Sequence, residues 1–274
     1  MRQRVAALWA SAHVTVGAAV CLVSCVVWCT GVFAQQRAIP LDQLRSGSTF
    51  MSTEHRAMQA DDFSNPGMLW VGKGEKLWNA PAGDKKQACA ACHQDAKTSM
   101  KGIATRYPVF DGKAKKLLNL EGRINQCRSE RQGAAAFTPE SDEALSITAY
   151  VAHQSRGMPL HASIAGDAQP HFERGQFLYQ RRIGQMNLAC VNCHEWNAGR
   201  RLLAENISQG HPNAYPVYRL EWQSAGSLHR RLRACYFGVR AEMPPYGAQD
   251  LLDLELFLAW RAQGLAIETP GVRR

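Results

Sequence analysis

Two copies of one five-residue motif constrain the fold of this 274-residue chain more than any other feature. The sequence C-x-x-C-H stands at Cys89–His93 and again at Cys190–His194. In this motif the two thiols bond covalently to haem vinyl groups, and the histidine binds the iron from one side. One copy could arise by chance or belong to a zinc site, but two copies with similar flanking segments predict two covalently bound haem c groups. These would be attached through Cys89, Cys92, Cys190 and Cys193, with His93 and His194 as iron ligands.

The N-terminus has the pattern of an export signal. Arg2 and Arg4 precede an apolar run, and no acidic residue occurs before Asp42. Residues 32–34 suit a signal peptidase, so we expect a signal peptide at 1–34 and a periplasmic protein with no membrane span after cleavage. A transmembrane anchor is one alternative, and a lipoprotein acylated at Cys25 is another. Both alternatives also place most of the chain outside the cytoplasm.

Cleavage would leave six of the nine cysteines, and four of these are used by the haem motifs. The other two are Cys127 and Cys235. In an oxidising compartment the ordinary expectation for such a pair is a disulfide. Their positions argue against it, because each cysteine belongs to a different copy of an internal repeat.

The repeat is visible at several points of the sequence. Segments Gly74–Trp78 and Gly175–Tyr179 each begin 15 residues before a haem motif, and Tyr107–Phe110 and Tyr215–Tyr218 each begin 20 residues before an extra cysteine. Each half closes with an apolar pattern of helical period that runs to a glycine, Gly157 or Gly264. We therefore predict a mainly α fold of two tandem c-type cytochrome domains related by internal duplication. The predicted boundaries are a polar N-terminal extension at 35–65, folded over the first domain, then domains at 66–166 and 167–274.

Each extra cysteine is a candidate for the second axial ligand of its own haem. A thiolate is a strong, electron-donating ligand, and neighbouring arginines favour the thiolate over the thiol. These arginines are Arg123 and Arg128 beside Cys127, and Arg231, Arg233 and Arg240 beside Cys235. Methionine is the rival ligand, because Met158 and Met243 are each followed by proline at believable distances from the motifs.

Three segments carry a resemblance to a known family. Leu120–Arg128, Cys235–Glu242 and Leu256–Arg261 resemble SoxA, the dihaem subunit of the SoxAX cytochrome complex of bacterial thiosulfate oxidation. The resemblance extends over about residues 40–268. It implies that Cys127 is the second ligand of the first haem. It also implies that Cys235 is the second ligand of the second haem and carries an extra sulfur as a persulfide.

The resemblance also implies an activity, that of an L-cysteine S-thiosulfotransferase. Thiosulfate would be joined to a cysteine of a SoxYZ-like carrier, and electrons would pass to a monohaem SoxX-like partner in a heterodimer and then to a soluble cytochrome c. Cys235 would be the reactive sulfur, and Arg231, Arg240 and Arg261 would be the candidates for holding the sulfonate. A thiosulfate dehydrogenase that forms tetrathionate and a plain electron carrier are the alternative functions.

The charge of the chain is consistent with an anionic substrate. The formal net charge is +9, and it falls to +7 when Arg2 and Arg4 leave with the signal peptide. A mildly basic surface suits an anionic substrate and acidic partners. Because the sequence has no basic helix and no aromatic-basic sheet pattern, we expect no nucleic-acid partner.

Overall fold

Helices form most of the regular structure in residues 38–274, the part of the chain that the computed structural model describes. The predicted signal peptide lies outside these residues. The mainly helical prediction is confirmed, and within 38–274 no helix is long and apolar enough to cross a membrane. The helices are α1 (Thr53–Ala60), α2 (Met68–Asn79), α3 (Cys89–His93), α4 (Ala96–Ser99), α5 (Leu120–Cys127), α6 (Asp142–His153), α7 (Gln169–Gln180), α8 (Cys190–His194), α9 (Leu228–Gly238) and α10 (Gln249–Arg261). Single turns of 3₁₀ or π helix lie at Leu41–Gln43, Gly47–Phe50, Ala104–Arg106, Arg128–Gln132 and Gly166–Ala168.

The described strands are two or three residues long, too short to show an alternating pattern in the sequence. They are β1 (Val109–Asp111), β2 (Lys116–Leu118), β3 (Arg201–Leu202), β4 (Glu205–Asn206), β5 (Val217–Arg219), β6 (Ser224–Gly226) and β7 (Gly271–Arg273). The pairs β1–β2, β3–β4 and β5–β6 are antiparallel. Strand β7 joins β5 in parallel, with Val217 opposite both Gly226 of β6 and Gly271 of β7.

The long helices pack in two matching pairs, α2 against α6 and α7 against α10. A glycine of the first helix lies at each close approach. A Cβ at Gly74 would stand 2.1 Å from the carbonyl oxygen of Ser146, and one at Gly175 would stand 2.0 Å from that of Asp253. Any larger side chain would push the helices apart. Both glycines begin the repeated segments of the sequence, so the repeat marks a helix–helix contact.

The repeated Tyr-Pro-Val segments also take the same local structure twice. The Tyr107–Pro108 and Tyr215–Pro216 peptide bonds are both cis, and strands β1 and β5 follow them. Each strand pairs with the next one, which leads into the helix that carries an extra cysteine, α5 or α9. The duplication and its domain boundaries stay predictions.

The apolar helices predicted at the end of each half are α6 and α10. The glycines expected to cap them lie slightly further on. Helix α6 ends at His153 and α10 at Arg261, and short turns separate them from Gly157 and Gly264. Both glycines have positive φ, 82° and 95°, a conformation that suits glycine because it has no Cβ.

Each half has its own apolar core. The core of the first half includes Val71, Trp78, Ile147 and Tyr150. The core of the second half is larger and rich in aromatic rings, and it includes Phe172, Tyr179, Leu254, Phe257 and Trp260. Leu117 of β2 belongs to this second core and Phe110 of β1 packs against it. The described residues, 38–274, accordingly belong to one compact unit.

The N-terminal extension packs in a different place from the one predicted. We expected it to fold over the first domain, but most of the hydrogen bonds that join it to the rest of the chain are with the second half, including the C-terminal segment. Ser48 Oγ donates to Glu268 at 2.9 Å, and the side-chain oxygen of Gln59 accepts from the Val272 backbone at 3.0 Å. The extension is polar, so hydrogen-bonding partners rather than apolar burial determine where it lies. The sequence pattern does not identify such partners.

Candidate functional site

The second haem motif forms one short helix, α8, whose two ends are held by an asparagine. The Ala189 backbone N–H donates to the side chain of Asn192 at 2.7 Å, and the Asn197 side chain donates to the Asn192 carbonyl at 2.6 Å. A helix of five residues is not stable alone, so these bonds help to keep the turn in place. Cys190 and Cys193 are both half-buried on this turn.

A backbone carbonyl orients the histidine of this motif. Nδ1 of His194 lies 2.8 Å from the carbonyl oxygen of Ser208. Because a carbonyl only accepts, this contact assigns the proton to Nδ1 and leaves Nε2 as the ligand atom, as is usual for metal-binding histidines. The Ser208 loop approaches closely because residue 210 is glycine, where a Cβ would stand 2.8 Å from Cγ of His194.

Cys235 of α9 faces the second motif. Its thiol lies close enough to the His194 side chain for that side chain to lower the pKa of Cys235. Burial, followed by the nearby Cys235 thiol, raises the pKa of Cys190 to about 12 and also raises the pKa of Cys193. A histidine and a thiol beside two thioether-forming cysteines are residues that would hold one haem and its iron.

The environment of Cys235 favours the thiolate. Burial raises its pKa, but Arg231, the hydrogen bond and charge of His194, and Arg219 together lower the pKa to about 7. A thiolate is both the nucleophile and the metal ligand form of cysteine. Cys235 is therefore suited to both roles predicted for it.

The first half has the same arrangement in a more open form. Cys127 of α5 faces the first motif. Burial raises the pKa of Cys89 most and the Cys127 thiol raises it further, while the Cys92 thiol contributes to the raised pKa of Cys127. The ring of His93 stands 5.8 Å from that of Trp78. Cys92 and His93 are exposed, whereas their counterparts in the second half are half-buried.

The thiols are not used in other ways. Cys127 and Cys235 are free, as are the four motif cysteines, so the disulfide alternative is wrong for residues 38–274 of this structure. Within the same residues no group of three or more His, Cys, Asp or Glu is arranged to hold a free metal ion. Of the rival methionines, Met243 is 41% exposed, and Met158 lies beside Gly102. The residues that face the motifs thus fit haem, with histidine and cysteine available as iron ligands.

One expectation about the arginines is wrong for the first half. We expected Arg123 and Arg128 to favour the thiolate of Cys127, but burial raises the pKa of this thiol and outweighs Arg123. Arg123 is paired with Asp111 at 2.6 Å. The guanidinium of Arg128 lies 3.8 Å over the ring of Phe137, and its charge lowers the pKa of the motif thiol of Cys89.

The three arginines predicted at the second site lie in different environments. Arg231 interacts most directly with the reactive thiol, because the Cys235 thiolate is the largest cause of the raised pKa of Arg231. Arg261 is buried, lies 3.2 Å from Glu195, donates to the Gln209 carbonyl at 3.0 Å and also lowers the pKa of Cys190. Arg240 is exposed, and its described bonds are made by its backbone.

Sequence reasoning missed Arg219, a buried residue at the end of β5. Its charge lowers the pKa of Cys235. The sequence contains a signal for it, because the equivalent position of the first repeat is Asp111, a residue of opposite charge.

The helical fold, the two motif turns and the thiols that face them define a c-type cytochrome. A family model described as SoxA/TsdA, cytochrome c domain, matches residues 73–160. An L-cysteine S-thiosulfotransferase subunit SoxA of Pseudaminobacter salicylatoxidans is 41% identical over 236 residues, which are 86% of this chain and 82% of that protein. The chain therefore belongs to the SoxA family.

Two further comparisons agree. A subunit of the same name from Rhodovulum sulfidophilum is 36% identical over 232 residues, 85% of this chain and 81% of that protein. A crystal structure of SoxXA from P. pantotrophus contains a chain that superimposes with a TM-score of 0.82 at 37% identity, covering 84% of this chain and 87% of that one. The fold is thus the one found in SoxXA, and the protein binds covalent haem c.

Proposed function

We propose that this protein is the SoxA-type subunit of an L-cysteine S-thiosulfotransferase in the periplasm, with Cys235 as its reactive sulfur. The observation that carries the proposal is the position of the Cys235 thiol beside His194 of a haem motif, where Arg231, His194 and Arg219 lower its pKa to about 7 against the effect of burial. The names of the SoxA relatives support the same activity.

Two haem groups would be held by the two halves. Cys89 and Cys92 would attach the first, and His93 and Cys127 would hold its iron. Cys190 and Cys193 would attach the second, and His194 and Cys235 would hold its iron. When bound, the haems supply a path for single electrons. The chain orients the second site through the Ser208 carbonyl, which fixes His194, and through α9, which presents Cys235.

The reaction joins thiosulfate to a carrier cysteine. An S–H bond of the carrier breaks and an S–S bond to the outer sulfur of thiosulfate forms, while one proton goes to water and two electrons leave. Cys235, carrying an extra sulfur as a persulfide, would take part as a covalent nucleophile. Arg231 would bind the sulfonate oxygens through charge-assisted hydrogen bonds. Arg261 and Arg240 are the other candidates for holding the sulfonate. Arg261, beside Glu195 and Cys190, would also stabilise the second motif, and the exposed Arg240 would attract the anion towards the site.

The partners follow from the same proposal. A SoxX-like monohaem subunit would form a heterodimer with this chain, and the likeness of the chain to part of the SoxXA structure supports this pairing. A SoxYZ-like carrier would supply the cysteine, and a soluble cytochrome c would take the electrons. The signal peptide at 1–34 would direct the chain to the periplasm, where c-type haem is assembled.

Substitution of the reactive sulfur tests the proposal. In the haem-loaded complex with carrier and an electron acceptor, Cys235→Ser should abolish carrier thiosulfonation while two haems per chain are retained. Mass spectrometry of the unmodified chain should find about 32 Da of extra mass on Cys235, one sulfur atom. Arg231→Met should lower kcat/KM for thiosulfate by about tenfold or more, and the matched variant of the exposed Arg240 should have a smaller effect.

Three results would contradict the proposal. Full activity of the Cys235→Ser complex would remove the reactive sulfur. An unmodified thiol together with tetrathionate as the product would assign a thiosulfate dehydrogenase. Methionine ligation of both haems would leave a plain electron carrier.

A further inference from the structure

The two halves carry opposite charges at one equivalent position beside the extra cysteines. Aligned on their Tyr-Pro-Val segments, Asp111 at the end of β1 corresponds to Arg219 at the end of β5. The same alignment pairs Arg123 with Arg231, each four residues before its cysteine. The halves therefore share the arginine on the cysteine helix and differ in the charge that stands next to it.

In the first half the shared arginine is neutralised. Arg123 binds Asp111 at 2.6 Å, and the carboxylate is only 9% exposed in its side chain. A carboxylate at this distance offsets much of the electrostatic effect of the guanidinium on other groups, because opposite charges interact strongly where little water lies between them. Arg123 is thus occupied by a residue of its own half and is poorly available to an anion.

In the second half the nearby carboxylates are held by Arg219 instead. Its guanidinium lies 2.9 Å from Glu221 and 3.3 Å from Glu205, and its side chain is 5% exposed. The ring of Trp222 lies 5.1 Å away and covers it. The charges of Glu205 and Glu221 also contribute to the raised pKa of Arg231. The Cys235 thiolate contributes more than either glutamate.

We propose that Arg219 is a positioning residue that holds Glu205 and Glu221 and so keeps Arg231 free for the sulfur and sulfonate at Cys235. The inversion from Asp111 to Arg219 would then make the second half the anion-binding half. This inference rests on the proposed function, because it assumes that thiosulfate binds at Cys235. Without Arg219, the two glutamates would pair with Arg231 and draw its charge away from the site.

Replacement of Arg219 tests this role in the haem-loaded complex. Arg219→Asp copies the residue of the first half. It should raise the Kd for thiosulfate, measured by titration calorimetry, and the KM for thiosulfate by about tenfold or more, since the pair between Arg231 and the sulfonate is lost. The kcat should change less than KM, because the reacting sulfur is retained. The electron paramagnetic resonance signal of the second haem should shift and that of the first should not, and Arg219→Lys should restore the binding in part.

Arg230→Met is the matched control. Arg230 also covers Trp222, at 4.1 Å, and lies next to Arg231 in the chain, but its ion pair is with Glu140 at 3.9 Å. This variant should keep the thiosulfate Kd of the unmodified complex.

The possible results separate the two proposals. If the unmodified complex with two haems binds no thiosulfate, the proposed function fails. If it binds thiosulfate and Arg219→Asp binds equally well, or if Arg230→Met weakens binding as much as Arg219→Asp, the role assigned to Arg219 is wrong. Should Arg219→Asp lose its haem, Arg219→Met and Arg219→Lys decide by the same comparison.

Discussion

Gly74 on α2 offers a direct test of the close contact between α2 and α6. A methyl group at this position would stand 2.1 Å from the Ser146 carbonyl oxygen and 2.5 Å from Cβ of Tyr150 on α6. Ordinary contact needs about 3.4 Å or more, so the two helices would have to separate by roughly 1 Å. Overpacking of this kind costs about 1–3 kcal/mol.

Gly72 on the same helix is the matched control, because a methyl group there meets nothing within 4 Å. Alanine in place of glycine favours a helix by about 1 kcal/mol, and this gain is the same in both variants. The gain therefore cancels when the two variants are compared. Gly74→Ala should be less stable than Gly72→Ala by the clash alone, about 1–3 kcal/mol.

Urea unfolding of the two haem-loaded proteins, followed by circular dichroism, measures this difference. Thermal midpoints should differ in the same direction, by about 2–4 °C per kcal/mol for a chain of this size. Equal midpoints for Gly74→Ala and Gly72→Ala would refute the close packing of α2 on α6.

Three further substitutions test other parts of the structure. Gly210→Ala should tilt His194 away from the Ser208 carbonyl, since the new Cβ would stand 2.8 Å from Cγ of the His194 ring. The haem should stay covalently attached but become partly high-spin in the visible spectrum, and an unchanged spectrum would contradict this. Burial, followed by Glu255, raises the pKa of Glu121 from 4.5 to about 7. As pH rises, the Glu121 carboxyl ionises in the unfolded chain before it ionises in the folded protein, so stability should fall between about pH 4.5 and 7. Glu121→Gln should reduce that fall by about 3 kcal/mol in urea titrations, and a pH profile equal to that of the unmodified protein would argue against the raised pKa. Gln59→Ala should destabilise the protein by about 1–3 kcal/mol because the Val272 N–H loses its acceptor, and a urea midpoint equal to that of the unmodified protein would show that the extension is not held there.

The fold could be predicted where the sequence repeats itself. The apolar patterns before Gly157 and Gly264 predict α6 and α10, because such patterns depend on local spacing that the sequence shows directly. The repeated segments that begin at Gly74 and Gly175 are also visible in the sequence, but only the structure shows that they mark the two close helix pairs. The short strands could not be predicted, because three residues are too few for a period.

The positions of the thiols at the candidate site could also be predicted from spacing. Cys127 and Cys235 face their own motifs, as their equivalent distances from the repeated segments indicate. The difference in their pKa could not be predicted from flanking arginines. It depends on burial and Glu130 at Cys127, and at Cys235 on His194 and Arg219, which both lie outside the cysteine helix.

The N-terminal extension shows the limit of composition. Its polar character indicates a surface segment, but its partners, such as Glu268 for Ser48, lie more than two hundred residues away in the sequence. Hydrogen bonds of this kind leave no periodic pattern, so only the folded structure reveals them.

The central claim is that the sulfur of Cys235 is bound to the second haem iron opposite His194. Near-infrared magnetic circular dichroism of the oxidised holoprotein tests it most directly, because the charge-transfer band distinguishes thiolate from thioether ligands. Histidine–thiolate bands are expected for both haems, and Cys235→Ser should lose one of them. A histidine–methionine band for the second haem, unchanged by that substitution, would contradict it.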